Sequence, residues 1–394
     1  MNKPIYMDHA ATTPLDPRVL EKMTPYLTDV YGNANSQHAF GRAADRGVDE
    51  ARDTIASLIG AKPSEIYFTS GGTEADNWAL KGIMAAQTKK KHLIVSAIEH
   101  AAMLETAKQL SKAGYEVSCA PVDEFGRVDL DALRALVRED TALVGVMAAN
   151  NEVGTIQPVG EIAAIAHAKG ALMFTDAVQA AGVLELDVRA LGVDLMSASA
   201  HKIYGPKGVG MLYVRNGVKI ENLIAGGHQE RTRRGGTTNV PGVVGFAEAF
   251  RLAAENIEAN NAYVTALRDR LIDRVQAEVP DVKLNGHRTL RLPANADFSF
   301  RYIEGESVLF SLDLAGIAVS SGSACSSGSL EPSHVLLAMG LPEELAHGSI
   351  RFTLGKHNTE EEVDYTVESL KAIVARLRDM SPLFSAAGGE GNYV

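Results

Sequence analysis

The sequence predicts an α/β protein: a large unit with a mainly parallel sheet between helices, then a smaller α+β C-terminal unit. Three observations carry that expectation. From Glu65 to Thr175 short apolar runs alternate with stretches of helical period, the rhythm of parallel strands joined by helical crossovers. From about Asn260 the rhythm gives way to a new pattern, with strands expected at Asn295 to Phe300 and Gly348 to Leu354. The 394 residues, 46% hydrophobic and 22% charged, suffice for two cores. We expect the large unit at 15–259 and the smaller one at 260–394, with 1–14 packing on it.

Taken in order, Asp8-His9-Ala10-Ala11-Thr12-Thr13-Pro14 is a polar turn after a short apolar entry, and Pro17 opens a helix containing Val19, Leu20 and Met23. Gly32 to His38 is a Gly/Asn turn before an amphipathic helix from about Arg42 to Ile59. His38 is either an active-site liner or a helix-loop histidine. Strands are expected at Glu65–Thr69, His92–Ser96, Thr141–Ala148 and Ala171–Thr175, with helices after the first two and at Val159–Lys169. Cys119 lies in Glu-Val-Ser-Cys-Ala, a further strand in which it is expected to serve as packing. A nearly buried strand, Val193 to Ala200, runs up to Lys202, and Gly205, Pro206, Gly208 and Gly210 then break the chain. The Gly-rich stretch from Gly226 to Pro241 reads as an irregular loop before a long helix beginning near Val243. Thr359 with Glu362 forms a capping box for a last helix whose Val363, Val367, Leu370 and Val374 share one face. Beyond Pro382 no periodicity remains, and the tail is expected to be loose.

A net charge of -11 argues against a nucleic-acid binder, which would carry a basic stripe. The amino terminus lacks the apolar core of a signal peptide and nowhere do eighteen apolar residues run together, so no membrane partner and a cytoplasmic location are expected. Two cysteines, Cys119 and Cys325, are too few for a disulfide framework and lack zinc-site spacing, so no intrinsic metal is expected.

In open α/β sheets ligands bind where strands end. A lysine at a strand end, partly buried, favours the neutral amine and can form a Schiff base with a carbonyl; the plain alternative is a surface lysine in a glycine loop. Ser70-Gly71-Gly72-Thr73 opens a helix with free N–H groups suited to a phosphate, or is merely a turn. His100, after the His92–Ser96 strand, is either a cap or core contact, or a planar group that stacks on a ring and moves protons. Asn151 offers a hydrogen-bond donor within an Asn-rich turn. Asp176, at a strand end with Gln179 one helical turn on, is a carboxylate that can keep a pyridine nitrogen protonated. Cys325 lies in the Gly/Ser-rich stretch Ser320 to Pro332, either an incidental surface thiol or a reactive one. Arg351 alternates against Ile350, Phe352 and Leu354 and can clamp a carboxylate bidentately.

The segment Ser199-Ala200-His201-Lys202 with Gly205-Pro206-Lys207-Gly208 resembles the cofactor-lysine segment of fold-type I pyridoxal phosphate enzymes, class V aminotransferase branch. Over Pro4 to Leu383 the chain resembles cysteine desulfurases of the IscS/NifS type. The resemblance rests on Asp8 to Pro14, Thr69 to Glu74, Glu99-His100, Asn150-Asn151-Glu152, Asp176 to Gln179, the lysine segment, Arg234 to Thr237, Ser320 to Pro332 and Glu344 to Leu354. It implies pyridoxal 5'-phosphate as cofactor, with Gly72, Thr73, Ser199 and His201 on the phosphate, His100 stacked on the ring, Asp176, Gln179 and Asn151 as ring contacts, and Lys202 as the Schiff-base lysine. It also implies a homodimer in which Thr237 serves the partner's phosphate, L-cysteine bound by Arg351 with Asn151, and Cys325 as the persulfide-forming residue. The implied partners are sulfur acceptors such as an iron-sulfur scaffold, where Cys325 would be a transient cluster ligand, or a tRNA thiolation protein. Two departures stand out: Gly72 occupies a position where relatives often have alanine, and the tail after Leu383 does not follow the IscS ending. A selenocysteine lyase or other class V enzyme would share the lysine but not need Cys325. A non-catalytic sulfur carrier would have no use for the set Lys202, Asp176 and His100.

Overall fold

A computed structural model of the chain describes residues 4–321 and 331–386. The chain opens with β1 (Ile5–Tyr6), α1 (Pro17–Thr28) and α2 (Ala39–Leu58), and then builds the main sheet. Its elements are β2 (Ile66–Thr69), α3 (Gly72–Ala86), β3 (His92–Ser96), α4 (Ala101–Lys112), β4 (Glu116–Ala120), α5 (Leu130–Leu136), β5 (Thr141–Gly145), α6 (Val159–His167), β6 (Leu172–Asp176), β7 (Leu195–Ser199) and β8 (Gly210–Val214). The seven strands lie in the order β2-β8-β7-β6-β5-β3-β4. The neighbours from β7 to β4 are parallel, and β8 alone runs antiparallel to both of its partners. The expected parallel sheet is therefore present with one reversed strand that the glycines around it conceal.

Both faces of this sheet are covered, so successive residues alternate between two cores rather than between core and water. Ile94, Val144, Met173 and Met196 face α2 and α6 with α7 (Val240–Glu255), whereas Leu93, Leu143, Phe174 and Leu195 face Trp78 and Ile83 of α3 and Met103 of α4. Each fully buried side chain of this size contributes roughly 1.5–3 kcal/mol. The apolar runs lack period 2 for this reason.

Asn256 ends α7 and begins α8 (Ile257–Glu278). From Val264 onward that helix faces a second core, with β9 (Val282–Asn285), β10 (Asn295–Phe300), α9 (Gly305–Leu314), β11 (Ile317–Ala318), β12 (Ser349–Thr353) and α12 (Glu360–Asp379), while α10 (His334–Ala338) and α11 (Glu343–His347), between β11 and β12 in the chain, pack Val335, Leu336 and Ala346 with Ile98, Met147 and Val153 of the large unit. Strands β9, β10 and β12 form an antiparallel sheet centred on β10, where Phe298 meets Phe352 edge-on. Strand β1 pairs in parallel with β11, and Ile5 and Met7 join this core. On these grounds we propose 15–259 as one domain and 1–14 with 260–394 as the other. The Thr359–Glu362 capping box forms, and α12 buries Val363, Val367, Leu370 and Val374.

Two expectations need correction. Cys119 is exposed on β4, one of the two edge strands, and is not packing. The stretch after Ser381 is not wholly loose: Pro382–Ala386 form a short helix, α13, begun by a proline whose missing N–H no helix start requires.

Candidate active site

Strands β2, β3, β5, β6 and β7 run in one direction and deliver their carboxyl ends to one edge of the sheet, the edge at which such sheets take ligands. Beyond β2, Ser70 and Gly71 turn the chain into α3, whose N-cap Gly71 supplies no capping side chain. The first N–H groups of the helix thus face a cavity of about 430 Å³, lined also by Thr12, Ser199, His201 and Lys207. Glu74 borders it too, but its carboxylate is taken up by Ser70 N (2.8 Å) and by a bidentate pair with Arg234 at 2.8 and 2.9 Å. A Cβ on Gly72 would lie 2.6 Å from Val178 Cγ2, so the branched Val178 fills the space that alanine would occupy.

At the end of β7 a single 3-10 turn, Ala200–Lys202, presents the lysine. The turn closes with Gly205 N donating to Ala200 O at 2.9 Å and Tyr204 in the left-handed region at φ 63°. Glycine is required at 205, since a Cβ there would sit 2.7 Å from Ala200 O. Lys202 Nζ donates to the carbonyls of Ala10 and Ala11, and Gln179 Nε2 also donates to Ala10 O, at 3.0 Å. Thr13 bonds His201 O through both its N–H and its hydroxyl, so the stretch 8–13 lies over the lysine. His201 Nδ1 contacts Thr12 Oγ1 at 3.1 Å, and burial, then Lys202 and Lys207, push its pKa down to about 4. A neutral His201 presents an acceptor or donor to an anion without adding charge.

Asp176 ends β6, buried, and accepts from Val178 N at 2.8 Å. Burial drives its carboxyl upward, opposed by that N–H, His100 and Lys202. His100 caps α4: its Nδ1 accepts from Ala102 N at 3.1 Å, which in the neutral ring puts the proton on Nε2. Cap and proton carrier are thus compatible roles. His38 takes only the cap reading, accepting from Gly41 N at 3.2 Å to start α2.

Arg351, 4% exposed on β12, donates from Nη1 to Asn151 O at 2.9 Å and from Nη2 to Asp8 Oδ1 at 3.0 Å. Its buried Nε has no hydrogen-bond partner among the described residues. Its backbone pairs both ways with Ser320, N to O at 2.7 and 3.2 Å. Ser320 is the first residue of the Ser320 to Pro332 stretch; Cys325 lies outside the described residues.

The chain therefore brings together Gly72, Thr73, Ser199 and His201 around one cavity, Lys202, Asp176 and His100 in one electrostatic neighbourhood, and Arg351 with Asn151. Thr237 is exposed and does not line that cavity. Sequence reasoning missed Asp8 on Arg351, Thr12 and Lys207 at the cavity, and Asp76, a buried carboxyl at 1% exposure beside Asp176. The signal for Asp76 is a lone acid among Ala75, Trp78 and Ala79 on the buried face of α3. The donor set suits pyridoxal phosphate: a helix N-terminus with hydroxyls for a phosphate, a buried carboxyl for a ring nitrogen, and a lysine whose charge reaches that carboxyl.

Residues 5–366 match the aminotransferase class-V family. The chain is 50% identical over 387 residues to the cysteine desulfurase IscS of Clostridium botulinum, covering 98% of each. Its likeness to the cysteine desulfurase IscS of Methanosarcina thermophila is 51% over 383 residues, 97% of this chain and 95% of that one. Among solved structures a NifS-like protein superposes with a TM-score of 0.90 at 42% identity, covering 95% of this chain and all of the other. SspA in complex with cysteine superposes with a TM-score of 0.79 at 34% identity, covering 90% of this chain and all of the other. No helix among the described residues is long and apolar enough to cross a membrane.

Proposed function

The chain belongs to the class-V aminotransferase family, in its cysteine desulfurase branch, and from that premise we propose that Lys202, Asp176, His100 and Arg351 form one centre to which Cys325 brings a thiol. The observation that carries this reading is the two-way backbone pairing of Arg351 with Ser320, which roots the Cys325 stretch on the strand bearing the carboxylate-binding arginine. The α3 N-terminus with Thr73, Ser199 and His201 would hold the phosphate of pyridoxal phosphate, and Asp176 would keep a proton on its ring nitrogen. When bound, the cofactor supplies a carbonyl that captures amines and a ring that takes up electrons.

The protein groups then act in turn. Lys202 Nζ would hold the cofactor and, once free, would move the α proton of bound L-cysteine. Arg351 takes the substrate carboxylate in place of Asp8, and Asn151 fixes its orientation. The Cys325 thiolate attacks the substrate sulfur: an S–S bond forms on Cys325, the C–S bond of cysteine breaks, and the carbon takes up a proton to leave as alanine. The persulfide passes its outer sulfur to an acceptor protein of iron-sulfur cluster assembly, or to one of tRNA thiolation. We further place Thr237 on the phosphate of a second copy in a homodimer, because it does not line the cavity of its own chain, and the enzyme in the cytoplasm.

Borohydride reduction of the purified holoenzyme followed by peptide mass spectrometry tests the centre. The reduced cofactor is expected on Lys202, and Lys202→Ala should abolish it. Cofactor fixed on another lysine, or on none, overturns the assignment.

A further inference from the structure

Behind Asp176 the sheet buries more acid than one ring nitrogen needs. Asp76 on α3 is 1% exposed, and its Oδ1 lies 2.6 Å from Ser197 Oγ on β7. The same hydroxyl lies 3.5 Å from Asp176 Oδ1. Glu99, in the β3–α4 turn, is fully buried; it accepts from Ser96 Oγ and from Met147 N at 2.9 Å. We propose that Asp76 is a positioning residue for the reaction: its carboxyl donates to Ser197 Oγ, Ser197 donates to Asp176 Oδ1, and the relay holds Asp176 as the anion that faces the cofactor ring.

The hydroxyl of Ser197 has one proton and cannot donate to two carboxylates. Two buried carboxyls around one hydroxyl cannot both ionise, so one keeps a proton. The surroundings decide which. Asp176 faces the Val178 N–H, His100 and Lys202, all of which favour its charge. Asp76 faces Asp176 and Glu99, both acids, and among the described residues Ser197 is the one hydrogen-bond partner of its side chain; burial, then Asp176, drives its carboxyl well up. Burial also pushes Glu99 up to about 8. The proton therefore sits on Asp76 and the charge on Asp176. The Ser197–Asp176 contact, at 3.5 Å, is long for a hydrogen bond, and the charge of a bound ring would tighten it.

This inference rests on the reading of Asp176 as the ring partner, and the test separates the two. Apoprotein is titrated with pyridoxal phosphate, and affinity and the pH dependence of the bound cofactor's absorption are read together. Asp76→Asn, a neutral donor of the same shape, should bind within about twofold of wild type, while Asp76→Val and Ser197→Ala should each weaken binding about tenfold, the scale of one hydrogen bond to a charged group. Because they break one relay, the double variant should be no weaker than either single. In the infrared, the protonated-carboxyl region of wild-type apoprotein should hold the stretches of several buried acids, Glu99 among them, and Asp76→Asn should remove one of these. Weakening by Asp76→Asn as large as by Asp76→Val, losses that add in the double variant, or a protonated-carboxyl region unchanged by Asp76→Asn would each overturn the relay. If Asp76→Val fails to fold, Ser197→Ala and the infrared band decide alone. Asp176→Asn is the control: if it leaves affinity and absorption unchanged, the ring-partner reading fails; if it changes both while the other variants do not, only the relay fails.

Discussion

Removing the guanidinium of Arg52 should loosen the loop whose Arg234 pairs with Glu74 at the phosphate cavity, by an amount the structure allows to be worked out. Glu230, Arg231 and Thr232 stand consecutively in the left-handed region at φ 43°, 54° and 68°, a conformation that costs non-glycine residues of order 1 kcal/mol each. What holds them is Arg52 of α2, bound to both oxygens of Glu230 at 2.8 and 2.9 Å, to Ile66 O at 2.7 Å, and stacked over Phe68 at 4.6 Å. Phe68 N also donates to Glu230 at 2.9 Å. The two side chains are 9% and 5% exposed, so Arg52→Met strands a buried carboxylate, a change that costs about 3–5 kcal/mol. The readout is urea unfolding followed by the fluorescence of Trp78, the sole tryptophan, fully buried in the large unit and so a reporter of that unit alone. A fall of about 4 kcal/mol is expected, with Arg52→Met/Glu230→Gln recovering at least half of it because the stranded charge is gone. A fall below about 1 kcal/mol, or costs that simply add in the double variant, would show that the pair does not hold the loop.

Further outcomes follow from the same geometry. Cys325→Ser should keep the cofactor and its spectral response to cysteine yet lose persulfide and sulfide release, while Cys119→Ser, altering an exposed edge-strand thiol, should be nearly silent; continued desulfuration of cysteine by Cys325→Ser would instead mark a lyase. A heterodimer of one Lys202→Ala chain and one Thr237→Asp chain should retain roughly half of wild-type activity while both mutant homodimers are dead, since a carboxylate set against the phosphate empties the partner's site; a dead heterodimer removes the shared site. His9 and His201 are held neutral down to about 4 by burial, with His357 and Lys202 respectively as the next causes. The unfolded chain takes up those protons near 6.5 and the folded chain does not, so their contribution to stability is full above about 6.5 and is lost as pH falls to about 4. His9→Gln and His201→Gln should each flatten the slope of stability against pH within that window, and an unchanged slope would refute the assignment.

The βα rhythm and the residues at strand ends were legible because a buried parallel strand must be apolar along its whole length and because the chemistry collects where strands stop. Strand β8 was hidden by its own packing. Gly210 looks like a chain breaker, yet it is glycine because a Cβ would lie 2.7 Å from Ala198 O and 2.7 Å from Gly71 Cα, where the strand, its neighbour and the cradle converge. Cys119 was misjudged since a strand's place at the sheet edge is set by topology, not by its own residues. Asp76 lay unseen because one acid on an apolar helix face gains meaning only when β6 and β7 bring Asp176 and Ser197 to it.

The pairing of β1 with β11 sets an order of events during synthesis. Residues 5 and 6 leave the ribosome first, but their partners 317 and 318 arrive only when most of the chain has been made. The main sheet and the helices packed on it can close earlier, since domains fold as units from the amino-terminal side. The stretch that covers Lys202 with the carbonyls of Ala10 and Ala11 follows directly on β1, so it is anchored at its upstream end only when the distant strand is in place. Until translation is nearly finished a nascent chain can thus hold that stretch over the lysine only from its downstream side, through Thr13 on His201 and Gln179 on Ala10, and a product truncated before residue 317 would lack the upstream anchor.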